Sequence, residues 1–285
     1  MTPDQIEALF TRADGTYAFA RWGRPIAPIV FGVEDDTLKT VKGAVEAVVT
    51  LAGHQMAETD PELGANLMFF FFRDWDELLA VPDLSRMIPG LDTLVAKLKA
   101  ADASQYRAFR FDQDNAIQAC FVFLRMKGAI AQLPAETLAL TQAVQALLVW
   151  GDTAFAEASP LAVLPETGAT ILRPEIAGVI AAAYDRMMPV AAADKSHALR
   201  LFARLQGPAP GGAAASYERN RETRERIKIR RRHGVQREEG HCRLRHRERR
   251  SITAGLHVAE ADIRVDKQRC TACEPAVVVL PAQVQ

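Results

Sequence analysis

The sequence predicts an α+β domain that occupies residues 1–206. Short apolar runs alternate with helix-spaced apolar residues in its first half, a β-hairpin pattern follows, and the remaining patterns of the domain are helical. This order is typical of a small mixed sheet with a β-hairpin and a helical C-terminal half. A domain of this length can bury about 70% of the surface of its unfolded chain, so a single hydrophobic core is sufficient to fold it.

The first predicted elements are a short helix and two strands. Thr2 precedes Ile6 and further apolar residues, which is a pattern of helix N-termini. Alternating aromatic and small residues predict a strand over residues 17–22, and a second strand follows over residues 26–33. Because Pro28 cannot donate a hydrogen bond to a neighbouring strand, we expect the second strand at an edge of the sheet.

A long helix and a central strand come next. Apolar residues recur at helical spacing over residues 38–51, and Asp35 or Asp36 can cap the N-terminus of this helix. Residues 66–72 form an almost continuous apolar run. Such a run suits a strand that is buried on both faces, so we expect it in the middle of the sheet.

Polar residues mark the boundaries of the following elements. Asp74 and Glu77 have the spacing of a capping box, and helical periodicity returns over residues 91–98. Strand patterns over residues 106–111 and 116–126 flank a four-residue polar turn, which predicts a β-hairpin.

Three helices complete the predicted domain. Pro134 opens a helix that we expect to extend to Trp150, and Pro174 opens another that extends through Tyr184. Residues 197–205 are predicted to form the last helix, and the chain contains no internal repeat.

The composition changes abruptly at Gly207. Residues 207–285 contain 17 of the 35 basic and 10 of the 35 acidic residues, which gives this tail a net charge of +7 and residues 1–206 a net charge of −7. The basic part of the tail has few apolar residues, which predicts a disordered segment. Its arginines could bind nucleic acid non-specifically, although Tyr217 is its only aromatic residue for base stacking. An alternative is that a frameshift in a GC-rich gene produces this composition.

The sequence also indicates a cellular location. The N-terminus has neither the positive nor the apolar region of a secretory signal, and no uncharged apolar run reaches the roughly 18 residues of a membrane span. We therefore expect a cytoplasmic protein without a membrane span. Cys120 lies in an apolar strand pattern, so we expect it to be a buried, small apolar side chain.

Four segments of the domain carry a resemblance to a known family. They are residues 21–26 (RWGRPI), residues 64–69 (GANLMF), residues 141–147 (TQAVQAL) with Gly151-Asp152, and residues 172–175 (LRPE) with Tyr184-Asp185. In their order they resemble an uncharacterised bacterial family, the domain-of-unknown-function family numbered 2927. Its members are thought to share a zincin-like, that is, metallopeptidase-like, fold, so the resemblance implies this fold for residues 17–205.

The helix predicted over residues 134–150 lacks a metal motif. A zincin helix carries two histidines at i and i+4 and a glutamate beside the first, because this spacing places both imidazoles around one zinc ion. Residues 142–146 read Gln-Ala-Val-Gln-Ala instead, and neutral amides cannot replace imidazoles. The resemblance therefore implies a zincin-like domain without zinc chemistry or another cofactor. Its candidate ligand-binding residues are Gln142, Gln145 and Asp152.

The remaining candidate residues point to structural roles or to the tail. His54 and His197 have no second histidine or cysteine near them in the sequence, so a structural role is the first interpretation of each. In the tail, the spacing of two cysteines fits a zinc knuckle, and a third cysteine and a histidine could complete the site. These candidate zinc ligands are Cys242, His246, Cys270 and Cys273.

The sequence thus predicts a non-catalytic binding or interaction module with a protein or small-molecule partner. Two alternatives remain open. One is a hydrolase whose site has no recognisable motif, and the other is non-specific nucleic-acid binding through the basic tail.

Overall fold

A computed structural model describes residues 1–166 and 168–207, together with the backbone of residues 278–280. Its central element is a five-stranded mixed sheet. The strands of this sheet are β2 Pro28–Phe31, β3 Leu67–Phe72, β4 Gln105–Phe111, β5 Ile117–Arg125 and β9 Val278–Leu280. Their order in the sheet is β2-β3-β5-β4-β9. Strands β2, β3 and β5 are parallel to one another, β4 is antiparallel to β5, and β9 is antiparallel to β4.

Helices cover both faces of this sheet. On one face, α2 (Asp35–Leu51) and α5 (Ala135–Leu147) pack against each other. The opposite face is covered by a 3₁₀ helix (Trp75–Ala80) with α3 (Leu84–Met87) and α4 (Leu91–Ala100). Two hydrophobic cores result, one on each side of the sheet.

Strand β3 shows why its sequence is continuously apolar. It lies between β2 and β5, with Leu67 opposite Cys120 in the neighbouring strand. Alternate side chains enter the two cores, so Phe69 packs on the α2 and α5 side and Phe70 on the α4 side. A strand that is covered on both faces needs apolar residues at every position.

The N-terminal and C-terminal parts of the described chain meet on the α2 and α5 side. Strand β1 is antiparallel to β8, and α1 packs against α7, which also packs against α6. A separate two-stranded hairpin is formed by β6 and β7. The bounds of these elements are α1 Pro3–Ala8, β1 Phe19–Ala20, β6 Leu161–Val163, β7 Thr170–Leu172, α6 Pro174–Ala183, β8 Ala191–Ala192 and α7 Ser196–Gln206.

The architecture confirms a mixed sheet combined with helices, as expected for an α+β chain. Strand β2 lies at an edge of the sheet, as Pro28 predicts, and the predicted capping box of Asp74 and Glu77 is formed. The predicted hairpin corresponds to β4 and β5.

Three sequence expectations were wrong in detail. The C-terminal half is not purely helical, because the short strands β6, β7 and β8 interrupt it. Helix α5 ends at Leu147 rather than Trp150, because Leu148 is extended and pairs with Arg21, and Val149 N donates to Ala20 O. Glu34 rather than Asp35 or Asp36 occupies the N-cap of α2, without a side-chain capping bond.

Within residues 1–166 and 168–207, no helix is both long enough and apolar enough to cross a lipid bilayer.

Candidate functional site

Helix α5 has a buried C-terminus that aromatic side chains cap. The last carbonyl groups of a helix have no partner within the helix, so each needs a donor from elsewhere when it is buried. Two indole N–H groups and one phenol O–H supply these donors. The bonds run from Trp150 Nε1 to Val144 O (3.0 Å), from Trp22 Nε1 to Ala146 O (2.9 Å) and from Tyr184 Oη to Leu147 O (2.8 Å).

These contacts give a structural role to residues that carry the family resemblance. Trp22 and Tyr184 belong to two of the four segments, and both hold the end of α5 in place. Arg21 lies over the ring of Tyr184, with its guanidinium carbon 5.3 Å from the ring centre. The end of α5, and with it the position of Gln142 and Gln145 relative to the sheet, is therefore fixed from two sides.

Gln142 joins α5 to strand β4 through a group that we call the arginine–glutamine cluster, formed by Gln105, Arg107 and Gln142. The Nη2 of Arg107 donates to Gln142 Oε1 at 2.6 Å and to Gln105 Oε1 at 3.2 Å. Gln142 Nε2 donates to Gln105 Oε1 at 3.0 Å. Both amide oxygens thus face the guanidinium group.

Arg107 is a buried charge that has no counterion among the described residues. Its exposed fraction is 8%, and it forms no ion pair with a carboxylate in the described part of the chain. Burial lowers the pKa of Arg107 to about 10, so its guanidinium remains charged at neutral pH. Its Nε has no hydrogen-bond partner among the described residues. Burying an unpaired charge costs several kcal/mol by order of magnitude, and proteins rarely keep one without a reason.

Gln145 is a second buried polar group on α5. It lies three residues after Gln142 and has an exposed fraction of 6%. Its Oε1 accepts no hydrogen bond from any described residue. Residues three positions apart are neighbours on a helix surface, so an unsatisfied acceptor lies within one turn of the cluster.

Cys120, on the strand next to β4, does not provide a nucleophile. It is fully buried, and burial raises the pKa of its thiol to about 12 even though the charge of Arg107 opposes this shift. The thiol is therefore protonated at neutral pH, and only a thiolate is strongly nucleophilic. The prediction of a buried, small apolar side chain is confirmed for Cys120.

Asp152 lies at a different place from Gln142 and Gln145. It follows the end of α5, where its Oδ2 accepts a hydrogen bond from Ala13 N at 2.9 Å. Beside it, Gly151 N donates to Leu9 O, and a Cβ at Gly151 would lie 2.3 Å from Thr11 O. Asp152 thus ties the loop after α5 to the N-terminal segment, whereas Gln142 bonds to β4.

The two histidines have structural contacts. His197 Nδ1 shares a hydrogen bond of 2.8 Å with the hydroxyl of Tyr17, and His54 Nε2 donates to Arg24 O at 2.8 Å. Burial lowers the pKa of both histidines. In the described residues, no group of three or more His, Cys, Asp or Glu side chains is placed to bind a metal ion. The tail candidates Cys242, His246, Cys270 and Cys273 lie outside the described residues, as do its arginines.

A mostly apolar cavity of about 280 Å³ lies away from the cluster, at the carboxyl ends of the parallel strands. Ligands of open sheets with parallel strands commonly bind at this edge. However, among the described residues its lining supplies only the Thr37 hydroxyl and backbone groups as polar contacts. The lining residues are Gly32, Val33, Thr37, Val41, Phe71, Met126, Leu133, Ala135, Leu138 and Ala139.

Comparisons with known proteins do not assign the chain to a family. No protein-family model matches the chain, and neither a curated protein nor a solved structure matches it.

Sequence reasoning identified Gln142 and Gln145 but missed Gln105 and Arg107. The alternation of side chains along β4 could have indicated both residues. Side chains two residues apart lie on one face of a strand, so Gln105 and Arg107 share a face with Phe109, which is buried against α5.

Proposed function

We propose that this chain is a non-catalytic binding module with a zincin-like architecture, and that its ligand binds at the arginine–glutamine cluster. The observation that carries the proposal is the buried guanidinium of Arg107, which contacts two amide oxygens and no carboxylate among the described residues. A ligand could provide the interactions that the protein leaves unfilled.

The position of the cluster supports the zincin-like part of the proposal. Helix α5 directly follows the β4–β5 hairpin, and its buried side carries Gln142 and Gln145. In the resembled fold, this helix would hold the metal ligands. Here the same helix side presents amides, and its nearest charged partner is an arginine, which repels cations.

The environments of Cys120 and His197, two candidate nucleophile and base residues in the described part of the chain, support the non-catalytic part. General bases and nucleophiles need a pKa near neutrality or a base within hydrogen-bond reach. The thiol of Cys120 has a pKa of about 12, and the bond of His197 goes to a tyrosine whose pKa is raised by burial. Neither residue can donate or accept protons efficiently at neutral pH.

A zinc measurement tests the non-catalytic part. The full chain with Cys242, Cys270 and Cys273 replaced by serine excludes zinc bound through the tail thiols. We expect elemental analysis to find far less than one zinc ion per chain. One tightly bound zinc ion per chain would contradict the proposal.

Thermal unfolding with a panel of small molecules tests the binding part. The full chain is heated with sodium acetate, sodium phosphate, glucose, methylammonium chloride and acetamide at equal ionic strength. At least one compound should raise the melting temperature, Gln142→Leu should remove this increase, and the exposed Gln132→Leu should retain it. Two results would count against the proposed site. One is that both variants keep the increase in melting temperature, and the other is that no compound raises the melting temperature of the unaltered chain.

A further inference from the structure

We propose that the arginine–glutamine cluster binds a small carboxylate that carries a hydrogen-bond donor on a neighbouring atom. This inference rests on the proposed function and names the ligand class of the same site. It is carried by two buried polar atoms that have no hydrogen-bond partner among the described residues, Arg107 Nε and Gln145 Oε1.

The first atom specifies the charge of the ligand. Arg107 is a guanidinium whose Nη2 is already bound to Gln105 Oε1 and Gln142 Oε1, while its Nε–H has no acceptor among the described residues. An anion at this N–H would supply both the missing acceptor and the missing negative charge. Hydrogen bonds between ions are about twice as strong as those between neutral groups, so an anion gains more here than a neutral acceptor does.

The surroundings favour a carboxylate over a phosphate. A phosphate carries more oxygens and more charge, and each needs further donors or cations. The cluster offers a single guanidinium, and the two amide groups turn their oxygens, which are acceptors, towards it. A carboxylate has one negative charge, which a single guanidinium balances.

The second atom specifies a donor on the ligand. Gln145 Oε1 is buried and accepts no bond in the described part of the chain, and Gln145 is a helix neighbour of Gln142. A hydroxyl or N–H group next to the carboxylate would satisfy it. Hydroxy acids, amino acids and the last residue of a peptide have this combination.

Titration of the full chain with four probes tests the ligand class. The probes are sodium glycolate, sodium acetate, sodium phosphate and acetamide, each at matched ionic strength. We expect glycolate to bind more tightly than acetate, and phosphate and acetamide not to raise the melting temperature. The advantage of glycolate over acetate should disappear in Gln145→Leu.

Two arginines of β4 provide a matched pair of variants. Arg107→Met should weaken glycolate binding about 10- to 100-fold, as expected for the loss of a charge-assisted bond. It should also leave the melting temperature of the free protein unchanged or higher, because it removes an unpaired buried charge. Arg110→Met should keep glycolate binding, since Arg110 lies over Phe121 on the opposite face of the sheet.

Gln142→Glu provides a variant that folds even if Arg107→Met does not. It keeps the shape of the side chain and places a carboxylate 2.6 Å from Arg107 Nη2, where the amide oxygen lies now. We expect this internal counterion to raise the melting temperature and to abolish the effect of glycolate. A Gln142→Glu protein that still binds glycolate as the unaltered chain does would overturn the inference.

The possible failures are distinguishable. If phosphate or acetamide raises the melting temperature and Gln142→Leu removes that effect, the carboxylate inference is wrong and the binding site stands. The same conclusion follows if glycolate and acetate do not raise the melting temperature while another compound of the panel does so and loses this effect in Gln142→Leu. If no compound causes an increase in melting temperature that Gln142→Leu removes, both the inference and the proposed function are wrong.

Discussion

His197 is kept neutral by its surroundings, and this has a consequence for stability. The side chain is 2% exposed, shares a bond with Tyr17 and lies beside the ring of Phe19, with ring centres 4.2 Å apart. Burial and the charge of Arg200 lower its pKa from 6.5 to about 4. Protonation of His197 is therefore easier in the unfolded chain than in the folded protein.

We predict that the free energy of unfolding falls as the pH is lowered from about 6.5 to about 4. In this range the unfolded chain binds more protons at His197 than the folded protein does, so acid favours unfolding. A pKa difference of this size corresponds to about 3.5 kcal/mol at most, because each pKa unit is about 1.4 kcal/mol. Urea unfolding at a series of pH values measures it.

His197→Phe is the control for this prediction. This substitution removes the titrating group and keeps an aromatic ring. The free energy of unfolding of the variant should therefore decline less between pH 6.5 and 4 than that of the unaltered chain. His54 contributes in the same direction, because burial also lowers its pKa, and this contribution remains in the variant. Parallel curves for the two proteins would show that His197 is not the group involved.

Asn66 illustrates what a sequence can and cannot specify about a single residue. The segment GANLMF contains Asn66, but the sequence pattern gives no role to its side chain. In the fold, its Oδ1 accepts from Ala27 N, and its Nδ2 donates to Pro25 O and to Asp60 Oδ2. These partners lie up to 41 residues away in the chain, so no local pattern contains them.

At the scale of elements, the aromatic cap of α5 is open to a direct test. Tyr184→Phe removes both the O–H donor of Leu147 O and the acceptor of Trp22 N, so two backbone groups lose the partner that they have among the described residues. We expect a loss of about 1–3 kcal/mol in the free energy of unfolding. Urea unfolding followed by circular dichroism gives the value.

Tyr106→Phe is the matched control for this change. Tyr106 is also a buried tyrosine, and its hydroxyl makes no hydrogen bond to a described residue. Its replacement should change the free energy of unfolding by less than about 0.5 kcal/mol. Equal losses for the two tyrosines would show that removal of a hydroxyl from a buried tyrosine, and not loss of the cap, is responsible.

Gly32, at the end of β2, is required by the close approach of β3. Its φ is +81°, and a Cβ at this position would lie 2.0 Å from Phe71 O. Gly15 has the same φ, +81°, but open space around it. We predict that Gly15→Ala costs about 1–2 kcal/mol for the left-handed backbone, and that Gly32→Ala costs at least about 2 kcal/mol more because the strands must separate.

The comparison of these two glycine variants separates backbone strain from steric conflict. Thermal unfolding of both in one buffer is sufficient. A similar loss for both would mean that the strand ends have room that the structure does not show.

Elements with a clear period were predictable, and very short ones were not. Residues 38–51 and 91–98 repeat an apolar residue often enough to predict α2 and α4, and the apolar run after Asn66 predicts β3 and its central place. Strands β6, β7 and β8 have two or three residues each, which is too few to show alternation. Helix α5 ends early because Leu148 and Val149 pair with the N-terminal segment, a long-range contact that helix propensity does not contain.

At the scale of the whole molecule, the C-terminal helix α7 closes the core on the α2 and α5 side. Leu201 is fully buried in that core, whereas Leu199 on the same helix is 58% exposed. We predict that Leu201→Ala lowers the free energy of unfolding by about 2–5 kcal/mol, because it leaves a cavity between the N-terminal and C-terminal parts. Urea unfolding provides the measurement.

Leu199→Ala serves as the control, with an expected change within about 0.5 kcal/mol. The two substitutions remove the same atoms from the same helix, so their difference reports the contribution of docking α7. Comparable effects would indicate that α7 contributes helix propensity rather than packing.

The candidate site was predictable only in part, for a reason that concerns the whole molecule. The sequence placed Gln142 and Gln145 on one helix, where the spacing is local. The meeting of Gln142 with Arg107, 35 residues away, depends on how α5 lies across the sheet. Side-chain alternation in β4 indicates the face of Arg107, but only the assembled layers show that no carboxylate of the described residues reaches it.

The distribution of tryptophans has a practical consequence. The chain has three, of which Trp22 and Trp150 are bound to carbonyl groups of α5 while Trp75 is bound to Ala103 O in the core on the other face. In a Trp75→Phe protein, all indole fluorescence would originate beside α5. The fluorescence emission of that protein would then report changes on the α5 face of the sheet and not on the opposite face. The molecule therefore already contains the fluorescent reporter that its binding studies need.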